Sequence, residues 1–177
     1  MYLISVYFDE RTNKNLQQYI DKIAKVTGNN FMIAHKVPPH MTISAIEART
    51  AECLVPSFQS LRGNVKAGTI DVVTVGQMLP YVMYGGVVMN EYLVCLTKII
   101  YDAFKDIPDT SISKYYQPMS WMPHITLGKT LDKEQMVKAF RVMQENFVPF
   151  SAEVERIGLA RVNPHEDIVS LNLKIFD

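Results

Sequence analysis

The chain has 177 residues, and its 18 basic and 18 acidic side chains give a formal net charge of zero. This length is enough for one ordinary domain, or for two small lobes that share a core. A zero balance argues against a protein that binds long duplex nucleic acid through an overall basic field. It does not exclude a small anionic ligand held in a local pocket.

Two further features limit the class of protein. Cys53 and Cys95 are too few for a disulfide framework or a cysteine-based zinc site, and their apolar neighbours predict buried free thiols. The apolar segment 1–8 contains no basic residue, so we expect no signal peptide, and no stretch has the length of a membrane span. We therefore expect a cytoplasmic protein without a membrane partner.

Hydrophobic periodicity and breaker residues predict the elements along the chain. In chain order they are strand 2–8, a helix through 16–27, an extended segment 31–46, a weaker helix 50–62, strand 65–79, strand 82–89, helix 92–104, a loop 106–122, strand 124–129, helix 132–146, strand 148–162 and strand 167–176. Turns at 79–81 and 163–166 join neighbouring strands. This order predicts an α+β fold with antiparallel or mixed sheets rather than a doubly wound parallel sheet.

Two sequence patterns indicate helix starts. Pro56 fits the weaker helix only in its first turn, where the missing N–H is not needed. Asp132 and Gln135 form a capping-box pattern at the start of the last helix.

A short motif occurs twice. Segment 39–43 reads Pro-His-Met-Thr-Ile and segment 123–127 reads Pro-His-Ile-Thr-Leu, so the two histidines are 84 residues apart (124 − 40 = 84). The same offset aligns segment 70–73 with segment 154–157, and each motif follows a strand and a helix. A matched motif in matched surroundings predicts two lobes with approximate two-fold symmetry, within a single domain that spans residues 1–177.

The motif carries chemistry. Alternation along a strand places His40 and Thr42 on one face, and His124 and Thr126 on one face, with apolar residues opposite. Imidazole has an unperturbed pKa of about 6.5, so one ring can act as general base and the other, protonated, as general acid. The two hydroxyls can donate hydrogen bonds to a phosphate. This set suits phosphoryl chemistry without metal or cofactor, and the sequence has neither a His-Glu-x-x-His pattern nor a carboxylate cluster.

The paired motifs resemble the signature of the two-histidine (2H) phosphoesterase superfamily, which includes 2′-5′ RNA ligase-like proteins and cyclic nucleotide phosphodiesterases. The resemblance covers nearly the whole chain. It implies a bilobal α+β fold, with duplicated sheets and outer helices around a central cleft. It also implies that His40 and His124 perform acid/base catalysis and that Thr42 and Thr126 bind the phosphate. The implied reaction opens a 2′,3′-cyclic phosphate to a 2′-phosphate, or runs in reverse to make a 2′-5′ bond.

Residues after each motif are candidate substrate contacts. By alternation, Ser44 continues the face of the first motif, while its equivalent Gly128 either leaves room for a substrate or marks a bulge. Lys129 lies where several RNA ligase-like relatives carry a basic residue, although its odd offset from His124 places it on the opposite face unless the strand bends. Basic residues are otherwise scarce near the motifs, which argues against long structured RNA as a substrate.

Aromatic residues precede the second motif. Tyr115 and Trp121 are candidates to stack on a base, a contact that contributes about 1–3 kcal/mol where it occurs. Trp121 can equally cap the core, and the sequence leaves both interpretations open. Tyr84, beside the predicted hairpin, is a further candidate for stacking.

The leading hypothesis is a metal-independent phosphoesterase, a hydrolase in RNA processing that opens 2′,3′-cyclic phosphates. Its partner would be a small nucleotide or a short RNA terminus, and it would act as a monomer. Two alternatives stay open: a 2′-5′ RNA ligase, and a catalytically quiet module that binds nucleotides or RNA ends. The sequence does not assign the acid and base roles to the two histidines.

Overall fold

Residues 1–162 and 166–173 are described by the structure, which is a computed structural model. The helices of this part of the chain are α1 (Glu10–Thr27), α2 (Phe31–Ala34), α3 (Val55–Gln59), α4 (Glu91–Phe104) and α5 (Lys133–Asn146). Its strands are β1 (Tyr2–Phe8), β2 (Met41–Glu47), β3 (Gly68–Met78), β4 (Val82–Val87), β5 (Ser111–Ile112), β6 (His124–Gly128), β7 (Phe150–Arg161) and β8 (Glu166–Asn172). None of these helices is both long and apolar enough to span a membrane.

The described strands form one sheet in which every pair is antiparallel. The order is β5-β2-β1-β7-β3-β4-β6. The eighth strand, β8, pairs with residues 156–161 of β7, whereas β3 pairs with residues 150–154 of that strand. The predicted α+β class is confirmed. The sequence left a mixed sheet open, but no parallel pair occurs in the described part of the chain. Each pair of neighbouring strands runs in opposite directions.

The strand order is symmetric about the β7/β3 pair. Strands β1 and β2 follow on one side of this pair, and β4 and β6 follow on the other. Thr69 of β3 lies opposite Glu153 of β7, and these two residues are themselves 84 apart (153 − 69 = 84). A residue that pairs with its own counterpart lies on the axis that relates two copies. The register thus supports the two-fold axis, while the duplication into two lobes stays a prediction.

The ends of α1 follow from its capping residues. The Asp9 side chain accepts a hydrogen bond from the Thr12 N–H at 3.1 Å, which satisfies one of the free donors of the first turn. Gly28 has a φ of 72°, a left-handed conformation that glycine adopts without strain, and its N–H donates to the Ala24 carbonyl. The predicted end of this helix at Thr27 is confirmed.

The predicted capping box is confirmed, whereas the predicted start of the weaker helix at residue 50 is wrong. Asp132 and Gln135 form both hydrogen bonds of the capping box at the start of α5. Pro56 lies in the first turn of α3, although this helix is much shorter than the predicted segment 50–62.

The chain before the first motif differs from the prediction. Phe31–Ala34 form a helical turn, whereas an extended segment 31–46 was predicted, and β2 begins only at Met41. The Asn29 side chain explains the turn, since its Oδ1 accepts a hydrogen bond from the Phe31 N–H at 3.0 Å. The predicted turn 163–166 falls largely on residues 163–165, and the predicted last strand continues beyond 173; both parts lie outside the described residues.

The prediction of buried thiols is also wrong, since both cysteines are exposed. Cys53 lies in a turn before α3, where its thiol donates to the Thr50 carbonyl at 3.2 Å. Cys95 lies on the outward face of α4, between the buried Leu93 and Leu96. Apolar neighbours in sequence do not bury a helical residue that falls between two inward positions.

The two faces of the sheet are defined here by β1. One face carries Ile4 and Val6, which are fully buried, and is called the core face. The opposite face carries Ser5 and Tyr7 and is called the site face. Paired residues of neighbouring strands lie on the same face, so the register assigns other residues to one face or the other.

Candidate active site

The two motifs lie far apart in the strand order but close together in space. His40 directly precedes β2, and His124 is the first residue of β6. Four strands separate β2 from β6 along the hydrogen-bonded path, yet the two strands contact each other. The sheet is therefore strongly curved, and the curvature brings the two motif strands side by side.

Trp121 connects the two motifs directly. Its indole N–H donates a hydrogen bond of 3.1 Å to the carbonyl of Thr42. The side chain is only 6% exposed, so its ring is not available to stack on a base. The interpretation of Trp121 as a substrate contact is wrong. It caps the core and holds the chain before His124 against β2.

The two imidazoles are held in the same way. Nδ1 of His40 lies 2.8 Å from the carbonyl oxygen of Pro38, and Nδ1 of His124 lies 2.9 Å from that of Met122. A carbonyl oxygen can only accept, so Nδ1 carries the proton in both rings. Each Nε2 is then the atom that exchanges protons: it is an acceptor when the ring is neutral and a donor when it is charged.

The prolines of the motifs help to explain this arrangement. Pro39 and Pro123 are buried, and each follows the residue whose carbonyl anchors the histidine. A proline restricts the preceding residue to extended conformations, which fixes the direction of that residue's carbonyl. The anchoring carbonyls themselves are not predicted from the sequence. Their signal was the proline repeated before both histidines.

The two threonines lie next to their histidines on the site face. Thr42 pairs with Ser5, and their hydroxyl oxygens are 3.4 Å apart in a buried contact. Thr126 pairs with Tyr84 and is partly exposed. The structure thus gives each motif an imidazole and a hydroxyl on one face, as alternation predicts.

Both motif strands contain a β-bulge at the same position. Ser5 pairs with Thr42 but Ile4 pairs with Ser44, so the ladder skips residue 43. In the second motif the ladder skips residue 127 in the same way. The two skipped residues are again 84 apart (127 − 43 = 84), and an extra residue in a strand reverses the alternation beyond it.

The bulge moves Ser44 away from the site. Ser44 shares the core face with Ile4, is 2% exposed, and has a hydroxyl without a hydrogen-bond partner in the described structure. The expectation that Ser44 continues the face of His40 is therefore wrong. Its equivalent Gly128 also marks a bulge, and a Cβ there would lie 3.0 Å from Leu131, in the core.

The same reversal removes the objection to Lys129. An odd offset from His124 puts a residue on the opposite face only in a strand without a bulge. Lys129 is exposed, and its Nζ lies 5.6 Å from the ring centre of Phe31 in α2. Its ammonium therefore lies beside the segment that leads into the first motif.

Each histidine is flanked by a tyrosine from the neighbouring strand. The ring centres of Tyr7 and His40 are 6.2 Å apart, and those of Tyr84 and His124 are 5.7 Å apart in an edge-to-face arrangement. A glycine leaves room for each tyrosine ring. A Cβ at Gly158 would lie 2.9 Å from Tyr7, and one at Gly76 would lie 2.5 Å from Tyr84. From the sequence, Tyr84 is a candidate only for base stacking, and Tyr7 is not predicted to belong to the site.

Burial shifts the pKa of one histidine and of one tyrosine at the site. Burial lowers the pKa of His124, against the hydrogen bond to Met122, which favours the charged ring. Burial, together with the negative charge of Asp167, raises the pKa of Tyr7, so its phenol stays neutral. The Tyr7 hydroxyl donates to Asp167 at 3.3 Å.

The loop before the second motif exposes Tyr115. This side chain is 68% exposed, and Lys114 Nζ lies 5.1 Å from its ring centre. Its ring is accessible to a ligand, in contrast to that of Trp121. Among the described residues, no three His, Cys, Asp or Glu side chains are grouped so that they could hold a metal ion.

Three solved structures have folds similar to the fold of this chain. The chain resembles the crystal structure of TT0787 of Thermus thermophilus, with a TM-score of 0.64, 16% identity and 97% of each chain covered. It resembles E. coli LigT complexed with 3′-AMP, with a TM-score of 0.57, 14% identity and 98% of each chain covered. A structure described as a phosphoesterase gives a TM-score of 0.59, with 14% identity and 98% of each chain covered. No curated protein matches the sequence.

These structures share the fold of this chain over nearly its whole length. The family model of the 2′-5′ RNA ligase superfamily matches residues 12–166. The chain belongs to this superfamily, whose members are enzymes of phosphoester chemistry.

Proposed function

We propose that the protein is a metal-independent phosphoesterase that opens 2′,3′-cyclic phosphates of nucleotides or short RNA ends to 2′-phosphates. The observation that carries the proposal is the common anchoring of His40 and His124 through Nδ1. It assigns the proton of each neutral ring to Nδ1, so proton transfer runs through Nε2. Two such nitrogens beside two hydroxyls are the minimum set for acid/base cleavage of a phosphodiester.

The environment of His124 suggests the division of labour. Burial keeps the pKa of His124 below its usual value, so this ring is neutral near pH 7. A neutral Nε2 accepts a proton, and His124 is therefore the general base. His40 is then the general acid. Each role typically contributes about 10²–10⁴-fold to the rate.

These groups account for every proton and every bond that changes in the proposed reaction. The water oxygen attacks phosphorus while the water proton passes to Nε2 of His124. The bond between phosphorus and O3′ breaks, and O3′ takes the proton from Nε2 of His40, which leaves a 2′-phosphate and a free 3′-hydroxyl. The hydroxyls of Thr42 and Thr126 donate to the non-bridging oxygens, where negative charge develops. Both rings regain their starting charge when a proton passes from one to the other through solvent.

The test is turnover of 2′,3′-cyclic nucleotides and of oligonucleotides with a 2′,3′-cyclic phosphate, with a metal chelator present. We expect a 2′-phosphate product, and a loss of at least about 10²-fold in kcat for His40→Ala and for His124→Ala. His35→Ala is the matched control. This histidine is exposed and stacks on Phe31, and its Nδ1–H also meets a backbone carbonyl, that of Phe31 at 2.8 Å.

The same experiment separates the alternatives. A ligase would join the cyclic phosphate to an RNA with a 5′-hydroxyl end, and the joined product would carry a 2′-5′ bond. A binding module would retain the nucleotide without product, and His40→Ala would alter affinity only weakly. Absence of turnover on every cyclic phosphate, or equal loss in His35→Ala, contradicts the phosphoesterase proposal.

A further inference from the structure

A row of side chains crosses the site face from His40 outward. Tyr7 follows Val6, whose partner Met41 follows His40, so Tyr7 and His40 are neighbours on adjacent strands. Tyr7 pairs with Arg156 of β7, and Arg156 pairs with Asn172 of β8. Paired residues share a face, so all four side chains lie on the site face.

The guanidinium of Arg156 is held close to the catalytic ring. Its Cζ lies 3.9 Å from the Tyr7 ring centre, a cation–π contact, and the Tyr7 ring centre lies 6.2 Å from that of His40. The guanidinium carbon is thus no farther from the imidazole centre than the sum of these distances, about 10 Å. The Arg156 side chain is 31% exposed.

Arg156 keeps its hydrogen-bond donors available. A carboxylate oxygen of Asp167 lies 4.0 Å from the Arg156 Nη1, which is beyond hydrogen-bonding distance. Within residues 1–162 and 166–173, none of the hydrogen bonds comes from this guanidinium. Stacking on Tyr7 therefore positions the group without consuming the planar set of N–H donors that matches a phosphate.

The corresponding row on the other side of the site has no such cation. There the corresponding row is His124, Gly86 and Thr74, so a neutral threonine takes the place of Arg156. Of the two rows, only the one that starts at His40 carries a guanidinium; the ammonium of Lys129, which follows the strand of His124, lies outside the second row. A ligand that uses this guanidinium carries a second negative charge in the direction outward from His40.

We propose that Arg156 binds a second phosphate of the substrate and makes the enzyme selective for cyclic phosphates whose nucleoside also carries a 5′-phosphate. This inference rests on the proposed function, because a 2′,3′-cyclic phosphate occupies both O2′ and O3′. The only other ribose oxygen that can carry a phosphate is then O5′. A phosphate on O5′ is one ribose away from the reacting phosphorus, and it is present at an RNA end but absent from a plain nucleoside cyclic phosphate.

The experiment compares adenosine 2′,3′-cyclic phosphate with its 5′-phosphorylated form. We expect wild-type kcat/KM to be at least about tenfold higher for the 5′-phosphorylated substrate, and Arg156→Gln to reduce this ratio to about one. Arg156→Lys keeps the charge but not the planar donors, and we expect an intermediate ratio. Raising the salt concentration should lower the wild-type ratio and leave that of Arg156→Gln unchanged.

Arg161→Gln is the matched control. Arg161 lies on the same strand, pairs with Tyr2 on the core-face side and forms an ion pair with Glu166. We expect its substrate ratio to equal that of the wild type. Equal rates of the wild type on both substrates, or a proportional loss on both in Arg156→Gln, overturns the inference and assigns Arg156 a purely structural role.

Binding measurements keep the inference separate from the proposed reaction. Calorimetry with adenosine 2′,5′-bisphosphate and adenosine 2′-monophosphate needs no turnover. Tighter binding of the bisphosphate that disappears in Arg156→Gln supports the second phosphate site even if no cyclic phosphate is hydrolysed, in which case only the proposed function fails. Equal affinity for the two nucleotides contradicts the inference whatever the activity.

Discussion

The indole N–H of Trp121 and the carbonyl of Thr42 are 3.1 Å apart, and this hydrogen bond links the approach to one motif with the strand of the other. The contact is buried, so water cannot replace the donor if the indole is removed. It gives the chain a direct coupling between residues that are 79 apart in sequence.

Replacing Trp121 by Phe tests this coupling. The change leaves the Thr42 carbonyl without its donor, and we expect a loss of about 1–3 kcal/mol in the free energy of unfolding, measured in urea. We also expect kcat/KM to fall by about tenfold, because small displacements of catalytic groups are costly. The control is Phe58→Leu in α3, which weakens the core at a fully buried residue outside both motifs. If Phe58→Leu lowers the activity as much as Trp121→Phe at the same loss of stability, Trp121 acts only as a core residue.

A substitution at Gly76 tests whether the position of the Tyr84 ring beside His124 matters for activity. A Cβ at Gly76 would lie 2.5 Å from the Tyr84 ring, so Gly76→Ala must displace a side chain that packs against the imidazole of His124. Gly68→Ala is a matched control on the same strand, since its Cβ would lie 2.5 Å from Tyr92, away from both motifs. We expect both changes to cost about 1–3 kcal/mol of stability, and only Gly76→Ala to reduce kcat of the folded protein. Thermal unfolding and single-turnover rates measure the two effects.

A substitution at Ser44 tests whether the β-bulge at residue 43 turns this side chain away from the site. Its hydroxyl lies unpaired on the core face, so Ser44→Ala removes a buried polar group that has no partner in the described structure. We expect unchanged KM and unchanged or slightly higher stability, by up to about 1 kcal/mol. Thr42→Val, one pairing step away on the site face, should instead raise KM or lower kcat. A rise in KM for Ser44→Ala would mean that Ser44 reaches the substrate after all.

The pH dependence follows from the lowered pKa of His124. Burial disfavours the charged ring, so the acid limb of the kcat/KM profile should have its midpoint below the ordinary value of 6.5. The unfolded chain binds this proton more readily than the folded chain does. The stability that His124 contributes is therefore complete above pH 6.5 and is lost as pH falls toward the folded-state pKa. NMR titration of the imidazole, with its signal assigned by its absence in His124→Asn, gives the midpoint; a value at or above 6.5 contradicts the base assignment.

The amino-acid sequence by itself determined the parts of this protein that depend on local chemistry. The end of α1 at Gly28 and the capping box of Asp132 and Gln135 require only residues within one or two turns. The repeat of Pro-His-x-Thr at an offset of 84 is likewise readable without a structure, and with it the class of phosphoester chemistry. These features were predicted because each one is a property of a short segment.

The tertiary structure decided what depends on pairing between distant strands. The alternation that placed Ser44 with His40 assumed an uninterrupted strand, whereas the ladder with β1 inserts a bulge at residue 43. Burial of Trp121 depends on a carbonyl in β2, and the row from His40 to Arg156 exists only because β1 lies between β2 and β7. Register, curvature and burial are set by contacts across the whole sheet, and the faces of the site follow from them rather than from the spacing of residues along the chain.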